Sequence, residues 1–127
     1  MHILEYLRSV NLSRAERWHP GFPYDEEWTI ADWANAMQGE AGEAGNIVKK
    51  IRRVDTNLTG RPSENDREQL VLKLAMEIAD TIIYCDLLAA KEGIDLWPVI
   101  VDKFNRASEE YGWPERLKMH PTGGVED

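Results

Sequence analysis

Hydrophobic residues recur every three to four positions along most of this chain, and no segment shows the strict alternation of a half-buried strand. This period predicts an all-α protein with four helices. We expect the helices to cover about 2–18, 30–54, 67–92 and 96–111.

The residue types at the predicted helix ends fit these limits. Thr29, followed three residues later by Asp32, predicts a capping box at the start of the second helix. Gly93 suits the position after the third helix, and Asp95 suits the N-cap of the fourth. Residues 55–66 are polar and rich in turn formers, which predicts a long loop between the second and third helices.

Length and charge narrow the kinds of protein to consider. A chain of 127 residues fits one domain with one core. The net charge of −8 argues against a broad basic surface for polymeric nucleic acid, but it allows a small anionic ligand that arrives with divalent cations.

Cys85 is the single cysteine, which excludes an internal disulfide, and its apolar helix favours a buried thiol over a nucleophile. The first residues do not have the pattern of a signal peptide, and no stretch is apolar enough to span a membrane, so we expect a cytoplasmic location without membrane contact.

Two pairs of acidic residues interrupt the apolar faces of the second and third helices. In GEAGEAGN, Glu40 and Glu43 are three residues apart, and in LAMEIADTIIY, Glu77 and Asp80 have the same spacing. At 100° per residue, Glu40 and Glu77 fall within the apolar arcs of their helices, and the other two acids lie beside them. One such pair is most simply explained as a surface feature. Since two pairs each have a core-facing member, and ionised carboxylates are costly in apolar surroundings unless they are neutralised, the pattern predicts a cation site.

The ligand types favour magnesium at this site. Carboxylate oxygens suit Mg²⁺, Mn²⁺ or Ca²⁺, and Lys73 is the only basic residue that shares the polar seam with the acids. A di-iron bundle would need Glu-x-x-His pairs on two helices. The histidines all lie apart from the acids in the sequence, at His2, His19 and His120. A ferritin-like bundle and a zinc site among these acids are therefore disfavoured.

Three glycines flank the first acidic pair, at positions Gly39, Gly42 and Gly45. They remove side chains from the helix surface next to the acids. This leaves two interpretations open: a bulky ligand approaches the backbone there, or another helix packs closely against it.

Helices that carry Glu-x-x-Glu and then Glu-x-x-Asp resemble the all-α nucleoside triphosphate pyrophosphohydrolases of the MazG type. The resemblance extends from about Trp28 to Leu117, through DWANAMQGEAGEAGNIVKK, LAMEIADTIIYCDLLAAKEGIDL and KFNRASEEYGWPERL. One feature departs from the family: 33 residues separate Glu43 from Glu77, which is long.

The resemblance implies a single-domain, four-helix MazG-like bundle over residues 1–127. Its core would cover about 28–117, followed by a flexible tail over about 118–127. It also implies an enzyme that hydrolyses (deoxy)nucleoside triphosphates to the monophosphate and pyrophosphate with Mg²⁺ (or Mn²⁺), as a housecleaning activity on the nucleotide pool. A non-catalytic helical interaction module that retains the fold is the alternative.

The resemblance also suggests roles for individual residues. The expected metal ligands are Glu40, Glu43, Glu77 and Asp80. One of the first two would also act on the attacking water, and the more apolar surroundings of Glu40 favour it. The expected substrate contacts are Trp33, Lys73, Tyr84, Lys103, Asn105 and Arg106. Each of these also has a structural interpretation: core packing for the two aromatic residues, a salt bridge for Lys73, and the solvated face of the last helix for the other three.

The third helix is apolar on nearly every face, which is typical of a helix that is central or shared between chains. Together with the resemblance, this predicts a homodimer or a homotetramer.

Overall fold

Four helices make up the computed structural model, which describes residues 2–56 and 67–121. They are α1 (Ile3–Trp18), α2 (Ile30–Thr56), α3 (Arg67–Lys91) and α4 (Leu96–Tyr111). No strand occurs in these two ranges, so the predicted all-α class is confirmed. Helix α2 continues two residues beyond its predicted end, and Asp55 and Thr56 are therefore helical. The rest of the predicted loop, residues 57–66, lies outside the described residues.

The capping box at the start of α2 forms as predicted. The Thr29 amide donates to Asp32 Oδ2 at 2.9 Å, and the Asp32 amide donates to Thr29 Oγ1 at 3.4 Å. Asp95 occupies the N-cap of α4, but its side chain accepts no capping hydrogen bond, unlike our expectation. The third residue of α4 is Pro98, which has no amide hydrogen, so one of the two usual donors to an N-cap side chain is missing.

Helices α2 and α3 form the main packed pair of the fold. At one end of the pair, Arg67 Nε donates to Asp55 Oδ1 at 2.7 Å, which ties the end of α2 to the start of α3. The two helices therefore run antiparallel, and the middle of α2 lies beside the middle of α3. Helix α1 packs on α3, and α4 makes its main helix contact with α1.

A hydrophobic core cluster lies at the other end of the pair, where the loop between α1 and α2 covers the helices. It contains Ala15, Phe22, Trp33, Leu87 and Ala90. Trp33 is only 2 % exposed, and its ring meets that of Phe22 edge-on at a centroid distance of 5.2 Å. Burial of such aromatic rings contributes strongly to stability, so this core fixes the start of α2 against the end of α3.

A buried ion pair fastens α1 to α3. Asp86 is 1 % exposed and accepts from Arg8 Nε at 2.9 Å and from Asn11 Nδ2 at 3.1 Å. Asn11 Nδ2 also donates to the carbonyl oxygen of Ile83 at 3.2 Å. A buried carboxylate is tolerable only when it is paired in this way.

The segment after α4 is tied back to that helix. Asn105 Nδ2 donates to the Leu117 carbonyl at 3.0 Å, and the Leu117 amide donates to Asn105 Oδ1 at 2.7 Å. Trp97 Nε1 donates to the Met119 carbonyl at 2.7 Å. We expected a flexible tail to begin at about residue 118, and these hydrogen bonds hold the chain as far as Met119. Residues 122–127 lie outside the described residues.

Several large apolar side chains of α3 are exposed: Val71, Leu72, Met76, Ile78 and Ile82. Met76 is 69 % exposed and Leu72 is 63 % exposed. Helix α3 is apolar on nearly every face, as the sequence indicates, and the described chain leaves part of that apolar surface uncovered. None of the helices described here is both long and apolar enough to cross a membrane.

Candidate metal site on helices α2 and α3

Three carboxylates converge between the middles of α2 and α3. Glu40 and Glu43 come from α2, and Glu77 comes from α3. Each offers one ligand oxygen, and these three oxygens lie within 4.8 Å of one another. Glu40 and Glu77 are half-buried, whereas Glu43 is exposed. The antiparallel pairing of the two helices brings the predicted acids together, since each acidic pair lies in the middle of its helix.

Asp80, the fourth predicted ligand, lies at the edge of this cluster. Its side chain is exposed, and it is not among the residues whose oxygens converge. Its charge is nevertheless close enough to contribute to raising the pKa of Glu43. Asp80 is therefore a neighbour of the three converging acids in this conformation.

The three carboxylates lie so close together that binding of a proton or a cation at Glu43, the exposed one, is favoured. The pKa of Glu43 is raised above its usual value near 4.5, first because its carboxyl group can share a proton with Glu77, and then because the Glu77 charge repels it. Partial desolvation and the Asp80 charge act in the same direction, and a hydrogen bond with Glu40 acts in the opposite one. A bound cation would relieve the same repulsion.

One carboxylate oxygen of Glu77, Oε2, is buried without a hydrogen bond from the described part of the chain. Thr81, one turn later, donates its hydroxyl to the Glu77 backbone carbonyl at 2.7 Å and not to the carboxylate. Lys73, one turn earlier, is exposed and forms no ion pair with the described acids, so the alternative that it is a salt-bridge partner has no support there. A buried carboxylate oxygen without a donor is costly, and an all-oxygen donor set of this kind suits a divalent cation such as Mg²⁺.

The glycine surface of α2 is open beside the acids. A Cβ atom added at Gly39, Gly42 or Gly45 would meet nothing within 4 Å. Close packing by another of the four described helices is therefore not the reason for these glycines. A ligand or a second chain remains as the other interpretation.

The predicted aromatic contacts lie in the core. Trp33 is buried, and Tyr84 is half-buried and packs against the core cluster, with a centroid distance of 6.4 Å between the two rings. The core-packing interpretation of both residues is confirmed. Because so little of the Trp33 ring is exposed, a base has no free ring face to stack on there.

The three predicted contacts on α4 are not brought to the acids within one chain. Helix α4 packs mainly against α1, whereas the acids lie between α2 and α3. Arg106 Nε pairs with Asp102 Oδ2 at 2.9 Å, and Lys103 is exposed. The side-chain amide of Asn105 is fully engaged by the backbone of Leu117, since Nδ2 donates to the carbonyl oxygen and Oδ1 accepts from the amide. Helical periodicity shows which face of α4 is polar but not which helix that face approaches, so the sequence could not reveal this arrangement.

Comparisons with models of known protein families, with curated proteins and with solved structures found no match to this chain. The class that the fold and the site define is a four-helix protein with an acidic cluster between two antiparallel helices. The resemblance to the MazG type therefore depends on the motifs quoted above.

Proposed function

We propose that this protein hydrolyses (deoxy)nucleoside triphosphates between the α and β phosphates, releasing the monophosphate and pyrophosphate. The observation that carries this proposal is the convergence of Glu40, Glu43 and Glu77, together with the unpartnered buried oxygen of Glu77. The order of the acidic pairs in the sequence, which resembles the MazG type, supports the choice of substrate. Housecleaning of the nucleotide pool is the corresponding role.

Magnesium, or manganese in its place, would be held by these three carboxylates. Once bound, the ion supplies neutralisation of phosphate charge and a lower pKa for an attacking water. Asp80 lies one turn beyond Glu77, and its exposed side chain makes it a candidate for a further ligand. Without cations, the four acids would repel an anionic triphosphate, so binding of the substrate depends on them.

The two catalytic candidates on α2 differ in exposure. Glu40 is half-buried and approaches the cluster from the inside, whereas Glu43 is exposed to solvent. This arrangement suits Glu40 to hold the ion and Glu43 to orient the attacking water from the open side. The sequence favoured Glu40 for the second role, and the exposure of Glu43 is the reason to reassign it.

The substrate would lie over the open glycine surface of α2. The absence of side chains at these positions lets a bulky ligand approach the backbone beside the acids. Lys73 is exposed one turn before Glu77, which suits it to contact a phosphate. Lys103, Asn105 and Arg106 would reach this substrate only from another copy of the chain.

Assembly into a homodimer or homotetramer belongs to the same proposal. The exposed apolar side chains of α3, such as Leu72 and Met76, are candidates for burial in such an interface. Size-exclusion chromatography with light scattering should give a mass of at least two chains. A strict monomer at micromolar concentration would remove this part of the proposal.

The proposal is tested by incubating the purified protein with each canonical dNTP and NTP, and with oxidised or methylated analogues, in the presence of Mg²⁺. We expect equal amounts of monophosphate and pyrophosphate from at least one nucleotide, and no turnover after chelation of the metal. Release of inorganic phosphate alone would indicate a different bond cleavage. Binding of Mg²⁺ without turnover of any nucleotide would favour the non-catalytic interaction module.

A further inference from the structure

A second group of metal-binding side chains lies in the loop between α1 and α2. His19, Asp25 and Glu27 each offer one ligand atom, and the three atoms lie within 4.8 Å of one another. His19 lies apart from the acidic pairs of α2 and α3, but the path of the loop brings it to the carboxylates of Asp25 and Glu27. The three residues fall within nine positions of the chain.

Asp25 is the most deeply buried member of this group. Its side chain is 5 % exposed. Lys91, at the end of α3, donates to the Asp25 backbone carbonyl and to Oδ1, the latter at 3.2 Å. The other carboxylate oxygen, Oδ2, is buried and has no hydrogen-bond partner among the described residues. Lys91 thus fixes the carboxylate and leaves one oxygen unsatisfied.

His19, like Asp25, has a buried polar atom, Nδ1, without a hydrogen-bond partner among the described residues. The ring packs against two tryptophans that also contact each other, with centroid distances of 4.7 Å to Trp28 and 5.0 Å to Trp33. A buried polar atom without a partner is unfavourable in the folded state. Two such atoms occur on residues of one three-ligand group, and this coincidence points to a bound cation.

We propose that His19, Asp25 and Glu27 form a zinc site. One imidazole nitrogen and two carboxylate oxygens are a ligand set that suits Zn²⁺ better than Mg²⁺, which prefers oxygen ligands alone. Two carboxylates and the Lys91 ammonium group leave one formal negative charge, which attracts a cation to the group. Glu27 is exposed, so the ion has access from solvent, and three protein ligands leave a fourth position for water.

The proposed zinc site is separate from the acidic cluster on α2 and α3. Lys91, which contacts Asp25, lies 14 residues after Glu77 on the same helix, roughly 21 Å away along the helix axis. The ion would fasten the loop over the aromatic core rather than take part in turnover. The inference therefore goes beyond the proposed function, and either one can fail without the other.

The test measures Zn²⁺ binding by isothermal titration calorimetry, in excess Mg²⁺ that saturates the acidic cluster. Co²⁺ serves as a second probe, since it should quench the fluorescence of Trp28 and Trp33 and give a visible absorption band. Glu27→Gln removes an exposed ligand with little risk to folding, and His19→Phe keeps an aromatic ring packed against the two tryptophans. Glu26→Gln is the matched control in the same loop, and Glu43→Gln is the control for the acidic cluster.

We expect one Zn²⁺ per chain, an affinity lower by about tenfold or more in Glu27→Gln and His19→Phe, and an unchanged affinity in both controls. Wild-type affinity in Glu27→Gln would overturn the proposal. So would a loss confined to Glu43→Gln, which would assign the zinc to the acidic cluster. Absence of Zn²⁺ binding to the wild-type protein would also overturn the proposal.

Discussion

Ligand oxygens of Glu43 on α2 and Glu77 on α3 lie within 4.8 Å of each other, and this proximity raises the pKa of Glu43. The folded, metal-free chain therefore holds a proton at Glu43 to a higher pH than the unfolded chain does. As pH rises through that raised pKa, the folded state loses the proton and gains repulsion, so this pair favours folding at low pH and opposes it at neutral pH. A cation bound between the two carboxylates reverses the effect.

The titration of Glu43 can be followed directly by NMR of the side-chain carboxyl carbon. In the metal-free protein we expect a midpoint above 4.5, and in Glu77→Gln we expect it to move back towards that value, because the main cause of the shift is removed. Saturating Mg²⁺ should also lower the midpoint. An unchanged midpoint in Glu77→Gln would show that the two carboxyl groups are not close in solution.

Replacement of Glu77 by glutamine tests the proposed enzyme. The substitution keeps the shape of the side chain and removes its charge, so we expect turnover to fall by about 100-fold or more while the helical circular dichroism is retained. Glu68→Gln, at an exposed position in the first turn of the same helix, is the matched control and should keep full activity. Comparable turnover in the two variants would contradict the assigned site.

Arg8 should be one of the most sensitive positions for stability. Arg8→Met leaves the Asp86 carboxylate buried with Asn11 as its remaining partner, so we expect a loss of about 3 kcal/mol in the free energy of unfolding. Arg17→Met, at an exposed position of the same helix, should change it by less than about 0.5 kcal/mol. Urea unfolding measures both. Equal losses in the two variants would mean that the buried pair contributes little.

Asn105 is expected to hold the segment after α4 in place. Asn105→Ala removes both hydrogen bonds to Leu117, so the Leu117 amide should exchange faster with deuterium, and stability should fall by about 2 kcal/mol. Lys103→Ala, on the same helix, should leave that exchange unchanged. If Leu117 stays protected in Asn105→Ala and the KM for nucleotide rises instead, Asn105 belongs to the substrate site, as the resemblance implies.

The helix limits and the acidic cluster could be predicted because both follow from patterns among residues that are close together in the sequence. The capping box at Thr29 depends on residues three apart, and the inward position of Glu40 and Glu77 follows from helical periodicity. One further assumption, that the two helices pair antiparallel, is enough to bring three acids together.

The positions that were not predicted depend on the path of the chain between helices. Periodicity does not reveal that α4 packs on α1, that Asn105 binds Leu117, or that the loop returns His19 to Asp25 and Glu27. Asp95 shows a limitation at short range as well, because its residue type suits an N-cap but its side chain accepts no capping hydrogen bond.

A substitution on the glycine surface of α2 can test whether a ligand or a second chain occupies that surface. In the isolated chain, alanine at position 42 has room for its methyl group and should stabilise the helix by about 1 kcal/mol, since glycine is the poorer helix former. If the variant melts at a higher temperature yet loses turnover or assembly, a molecule outside the single chain needs that space. A gain in stability with no functional loss would show that the surface stays empty.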